Sequence, residues 1–230
     1  MIGIIINPVA VIIGSFIGVF FHGRVPEKIR SILDQGMGLC IAVIGISGAL
    51  KTGNVLVLII SVVAGSAVGT ALRIEKRLGD FGSMIKKCVP DSGSDVGTAF
   101  VSASLIYCVG SMAVMGSIQA GMNNDPSILF AKSILDGVMS VVLASTLGFG
   151  VALSALPLLL YQGMIALLAR IIGPLLSEVL VAEISAAGSI LILALGLNQL
   201  GAVKQPIPVG DMLPSIFFPI AVLPLINLIS

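Results

Sequence analysis

Arg30-Ser31-Ile32-Leu33-Asp34-Gln35-Gly36-Met37 returns, little changed, as Lys132-Ser133-Ile134-Leu135-Asp136-Gly137-Val138-Met139. The offset is 102 residues, and it persists at Ala42 over Ala144 and at Gly48 over Gly150. Each copy opens a long apolar stretch. A charged box repeated at the mouth of two hydrophobic segments is the pattern of a membrane protein built from two related halves, as many transporters are.

Composition agrees. Hydrophobic residues make up 57% of the chain and charged residues 10%, with a mean hydropathy of +1.16. A soluble domain carries roughly 25% charged residues. This chain cannot face water over most of its surface, so its first partner is the lipid bilayer. A net charge of +1, one histidine (His22) and no long basic stripe exclude nucleic acid as a partner. Cys40, Cys88 and Cys108 are far apart, lack metal-ligand spacing and read as small apolar filler. There is no Walker A, Rossmann or HExxH motif, and no nucleophile–base set forms around a single histidine. The expectation is a protein that is not an enzyme and takes no cofactor.

A helix needs ~20 apolar residues to cross the bilayer. Charge-poor stretches place spans near 4–21, 33–50, 55–72, 97–119, 133–151, 156–172, 184–200 and 213–229. Ser154 and Pro157 mark the expected break in a charge-free run too long for one helix. Eight spans are expected. Seven is the competing count, because Pro214, Pro219 and Pro224 interrupt the last. No basic residue precedes the first apolar run, so it is expected to stay as a span rather than act as a cleaved signal. With eight spans, one side holds nine Lys and Arg residues and the other holds Lys51, Lys132 and Arg170. The positive-inside rule makes the first side cytoplasmic and puts both termini outside.

The fold class is therefore all-α, a polytopic transmembrane bundle. The offset lays the second span on the fifth and the third on the sixth. Three spans per copy is an odd number, so the copies are expected to enter the membrane with opposite sense, as inverted repeats. The domains are 1–80 (first three-helix unit), 81–95 (cytoplasmic linker), 96–178 (second, inverted unit) and 179–230 (a C-terminal helix pair). Segment 73–90 has Ile74, Leu78, Phe81 and Ile85 at helical spacing among basic residues, the pattern of an interfacial amphipathic helix. Gly65-x-x-x-Gly69 is a small-residue face for close helix packing, within one chain or in a homodimer.

Several local signatures are more specific. They are Asn7-Pro8 with Gly14-Ser15, and Gly110-Ser111 through Gly116-Ser117-Ile118-Gln119-Ala120-Gly121. To these add Ala131-Lys132-Ser133-Ile134-Leu135-Asp136-Gly137, Leu160-Tyr161-Gln162-Gly163, Glu183-Ile184-Ser185-Ala186-Ala187-Gly188 and Leu213-Pro214. With these residues the chain resembles, over nearly its whole length, the YqgA/YdfK-type family of bacterial multi-pass membrane proteins of unknown function. The resemblance implies a bacterial inner-membrane location and a transport role, and it implies no substrate.

Asp34 and Asp136 head the candidate residues. Acidic groups at membrane depth are costly and usually functional. The competing account is capping: Ser31-x-x-Asp34 and Ser133-x-x-Asp136 both match a capping box, and an acid suits the positive end of a helix. Arg30 and Lys132, four residues earlier, are the default ion-pair partners. Ser104, Tyr107 and Ser111 lie on one helical face, which either packs through hydrogen bonds or lines a wet path. Asn7 precedes a proline that frees a backbone carbonyl. Gln119, Gln162 and Glu183 complete the candidate substrate- or ion-binding set. The leading function is a secondary transporter or channel-like permease for a small solute or ion, with its site where the repeats meet. The alternative is a non-transporting scaffold that acts on a partner protein through segment 73–90.

Overall fold

The structure is a computed structural model that describes residues 2–21, 27–77, 80, 96–109, 111–172 and 177–229. Among the described residues every regular element is helical. In chain order they are α1 (Ile2–Phe21), α2 (Glu27–Ala49), α3 (Val55–Leu72), α4 (Val96–Cys108), α5 (Ser111–Met122), α6 (Ser127–Leu147), α7 (Gly150–Leu153), α8 (Ala155–Ile172), α9 (Glu178–Gln199), α10 (Val209–Met212), a 3-10 turn (Leu213–Ile216) and α11 (Pro219–Ile229). Five segments are long and apolar enough to cross a membrane, and the number rises to seven if each of two bent pairs is one span. The apolar part of α2, Gly38–Ala49, falls short of that length.

The chain forms two compact units, one from Met1–Leu33 with Gly79–Leu175 and the other from Asp34–Leu78 with Leu176–Ser230. In the first unit α1 lies on α6. Gly3 meets Leu129, Gly14 meets Gly137 and Ser140, and Gly18 meets Val141 and Ala144. The numbers rise together, so the two helices run parallel. At Gly14 and Gly18 a Cβ would enter the carbonyl oxygens of Gly137 and Val141. Close approach of this kind is how membrane helices associate where no hydrophobic force separates them from lipid. Gly116 packs on Ile128 and Leu129 across the α5–α6 turn, and Gly121 packs on Ala166 and Ala169 of α8.

In the second unit α2 runs antiparallel to α9: Gly38 meets Leu200, Gly45 meets Leu193 and Gly48 meets Ser189. Gly65 and Gly69 of α3 lie against Ser215 and Asp211. The GxxxG face is thus occupied within the chain. Asn54 caps α3 through Oδ1, which accepts the N–H groups of Leu56 and Val57 at 3.0 and 3.4 Å. At the far end Arg73 is left-handed with φ 52°, and α3 stops. There the Glu75 carboxylate accepts the Gly210 N–H at 2.6 Å while Asp211 accepts the Glu75 N–H at 2.8 Å.

Several expectations are revised. The fourth span is a pair, α4 and α5, whose axes differ by 60°. The break between the fifth and sixth comes earlier than Ser154: α6 ends at Gly148, whose φ of 79° suits a residue with no side chain. Pro157 instead sits in the first turn of α8, where a missing N–H breaks no helical bond. The last span bends by 50° between the 3-10 turn and α11. Segment 73–90 lies mostly outside the described residues, and the scaffold reading with it.

Candidate functional site

The polar centre of the first unit is built on α6. At ~1.5 Å per residue, Asp136, the tenth residue of α6, lies about 13 Å into a helix of about 30 Å. Lys132, one turn earlier, donates to both carboxylate oxygens, at 2.8 Å to Oδ1 and 2.6 Å to Oδ2. Asn7, projecting from α1, donates its Nδ2 to Oδ2 at 3.0 Å. Lys132 and Asp136 are each only 7% exposed and Asn7 is fully buried.

Capping does not explain this acid. It sits in the middle of α6, and Ser133 Oγ donates back to the Leu129 carbonyl at 2.6 Å. The carboxylate that serves the start of α6 is Asp125, whose Oδ1 accepts the Ser127 hydroxyl at 2.6 Å and the Ser127 N–H at 3.0 Å. These two bonds, the hydroxyl's first, hold the exposed Asp125 carboxyl below the usual carboxylate range. Nor does helix electrostatics call for the Lys132–Asp136 pair: a base preceding an acid by four residues is the weaker order. A buried pair of this sort is weak support for stability.

The cluster extends to α4. Tyr107, fully buried, shares a 2.7 Å hydrogen bond with Ser140 Oγ, which in turn donates to the Asp136 backbone carbonyl at 2.6 Å. Ser104, on the same face of α4, donates to the Phe100 carbonyl of its own helix at 2.6 Å. Gln162 on α8 is fully buried, and neither its Nε2 nor its Oε1 has a partner. Asn7 Oδ1 and Ser15 Oγ are also buried without partners. Buried polar atoms are almost always paired, so several unpaired ones in one unit call for a ligand, an ion or water.

The other candidates are distributed differently. Gln119 on α5 is half-buried, and its backbone carbonyl accepts the N–H groups of Asn123 and Asp125 at 2.9 and 3.4 Å in the α5–α6 turn. Asp34 is the eighth residue of α2, too far along for a first-turn cap, and its side chain lies outside the described residues, as does that of Ser111. Glu183 belongs to the second unit. Its carboxylate takes the Thr52 hydroxyl at 2.6 Å and the N–H groups of Gly53 and Asn54 at 2.7 and 3.0 Å, so it anchors the α2–α3 turn. Glu183→Ala should therefore cost about 3 kcal/mol by stranding three donors. Glu183→Gln should cost about 1 kcal/mol, because its oxygen still accepts both N–H groups and its amine can donate to Thr52. Chemical unfolding of the two variants in detergent checks the ordering. Sequence reasoning missed Ser140, although its place four residues after Asp136 extends the Lys132–Asp136 row.

The family described as "Protein of unknown function (DUF554)" matches residues 2–223. The "Uncharacterized membrane protein YdfK" of Bacillus subtilis (strain 168) is 34% identical over 223 residues, covering 95% of this chain and 94% of its own. The "Uncharacterized protein YqgA" of Escherichia coli (strain K12) is 32% identical over 224 residues, covering 94% and 93%. No solved structure matches. With a family match across nearly every residue and relatives aligned end to end, this helical membrane protein belongs to the DUF554 family.

Proposed function

We propose that the protein is a secondary transporter or channel-like permease for a small solute or ion, and that its ligand site includes the buried cluster of Asn7, Asp136 and Lys132, with the buried Gln162 of α8 as a further candidate. The observation that carries this reading is a buried ion pair near the middle of an apolar helix, held by Asn7, whose Oδ1 has no partner of its own. Charges at such depth are costly, and membrane proteins that keep them use them on substrate or ion paths. Asp34 holds the same register in the first copy of the box and is the repeat-related candidate.

The proposed topology is eight crossings built from two inverted three-helix repeats and a C-terminal pair, in the bacterial cytoplasmic membrane with both termini outside. The parallel course of α1 and α6 supports it, because two parallel spans must be separated by an odd number of crossings. Taking α2, α3 and the bent α4–α5 pair as three crossings meets that condition. Reconstituted into vesicles, the protein should move at least one of the alkali cations, amino acids, carboxylates or nucleobases faster than empty vesicles do. Asp136→Asn at equal incorporation should cut the flux by about tenfold or more, the loss of one strong polar contact. Flux equal to that of empty vesicles for all these classes would reject transport of them.

A further inference from the structure

Among the described residues, Gln162 is the only buried side-chain amide with neither end paired. Asn7 Oδ1 and Ser15 Oγ, both on α1, are likewise buried without partners. The orientation of Asn7 is dictated by its neighbour: Nδ2 meets Asp136 Oδ2 at 3.0 Å, and the reverse would set two acceptors together. Its oxygen is therefore the end left over. Helices α1 and α8 meet where Gly163 faces the Ile4 side chain, and Ile4 and Ala166 share a buried cluster with Ala120 and Leu129. Asn7 and Gln162 each lie within about one turn of that contact. Every one of these unpaired groups is neutral. The buried charges beside Asn7 are already spent on each other, with Lys132 donating to both oxygens of Asp136 at 2.8 and 2.6 Å. A ligand with a net charge would bury it with no counter-charge left to meet it, at a large cost. A ligand without polar groups would leave the amides unpaired. What fits is neutral, with a donor for the amide oxygens and an acceptor for Gln162 Nε2. A primary amide with both ends free reads a donor and an acceptor side by side, as glutamine does on the edge of adenine.

We propose that Gln162 is a specificity-determining residue, and that the ligand is a neutral solute with a donor next to an acceptor, the edge shared by amides, ureas and nucleobases. The proposal rests on the reading of this unit as the ligand site of a transporter or permease, and it narrows the ligand to uncharged solutes. Asp136 serves it as a positioning group, holding the Nδ2 of Asn7 and leaving the amide oxygen free.

The test is equilibrium dialysis of purified full-length protein in detergent against radiolabelled solutes in matched pairs: acetamide with acetate, urea with guanidinium, and uracil with its carboxylate, orotate. All are kept below denaturing concentrations. The expected result is saturable binding of at least one neutral member, with its charged partner weaker by about a hundredfold or more. Gln162→Met should weaken that binding by about tenfold or more. Its melting temperature should be unchanged or raised, because the change removes a buried donor and acceptor that nothing satisfies. No saturable binding of any neutral member by folded wild type would leave water as the partner of these groups and overturn the proposal. Equal binding of the charged partner, or binding unchanged in Gln162→Met, overturns it as well. A variant that loses binding and melts lower assigns Gln162 to the fold and overturns its role as reader. The wild-type comparison of neutral with charged solutes stands without any variant. Dialysis involves no flux, so the two readings fail separately: binding without vesicle flux of the bound solute rejects transport, and flux of an ion without binding of a neutral solute rejects only this inference.

Discussion

Replacing Lys132 and Asp136 together by leucine should leave the melting temperature of the purified protein unchanged or raise it, while Lys132→Leu alone should lower stability by about 3–5 kcal/mol. The single variant strands a carboxylate among buried surroundings with only Asn7 to answer it. The double variant removes both desolvation costs and substitutes side chains that pack. Asn7 then keeps an unpaired Nδ2, which limits the gain. Thermal unfolding of the three proteins in one detergent separates the outcomes. If the double variant is as unstable as the single, the pair is structural and the functional reading of Asp136 loses its main support.

The second large effect belongs to α1. Gly18→Leu or Gly14→Leu should cost about 3 kcal/mol or more, because the added atoms meet α6 backbone, which has little room to yield. Gly36→Ala is the control. A Cβ there meets nothing within 4 Å, so the change should be neutral or stabilise α2 by roughly 0.5–1 kcal/mol. Expression level and unfolding temperature in detergent read both. Equal behaviour of Gly18→Leu and Gly36→Ala would contradict the α1–α6 packing described above.

Much of the helical plan was legible because it depends on composition and length. Apolar stretches near 4–21, 55–72 and 184–200 correspond to α1, α3 and most of α9. The two bends were unequally legible: prolines mark the one in the last span, whereas Gly110-Ser111, a pair that permits a kink, does not by itself fix the 60° turn between α4 and α5. Capping was misread for a physical reason. Ser-x-x-Asp is a local pattern, but whether it caps depends on where the helix starts. That start is set at Ser127 by Asp125 and Pro126, upstream of the box. Lys132 was legible as the acid's partner from spacing alone. The Asn7–Asp136 bond was not, since it joins residues 129 apart and single-sequence periodicity is blind to that range. Glu183 was legible only as an acid just ahead of an expected span, and its three donors come from a turn that only the fold brings near.

The interleaving of the two units bears on the order in which the chain is made. Its first helix is finished when the strand of polypeptide that will satisfy Asn7 has not yet been translated. At ~5–20 residues per second the 129 intervening residues take about 6–26 s. For that interval a buried amide and a proline-broken turn must wait in lipid, or at its edge, without their partner. The α2–α3 turn waits as long for Glu183, 131 residues beyond Thr52. Neither unit can close until the second half of the chain arrives, so a ribosome that stalls midway leaves two incomplete bodies rather than one finished one.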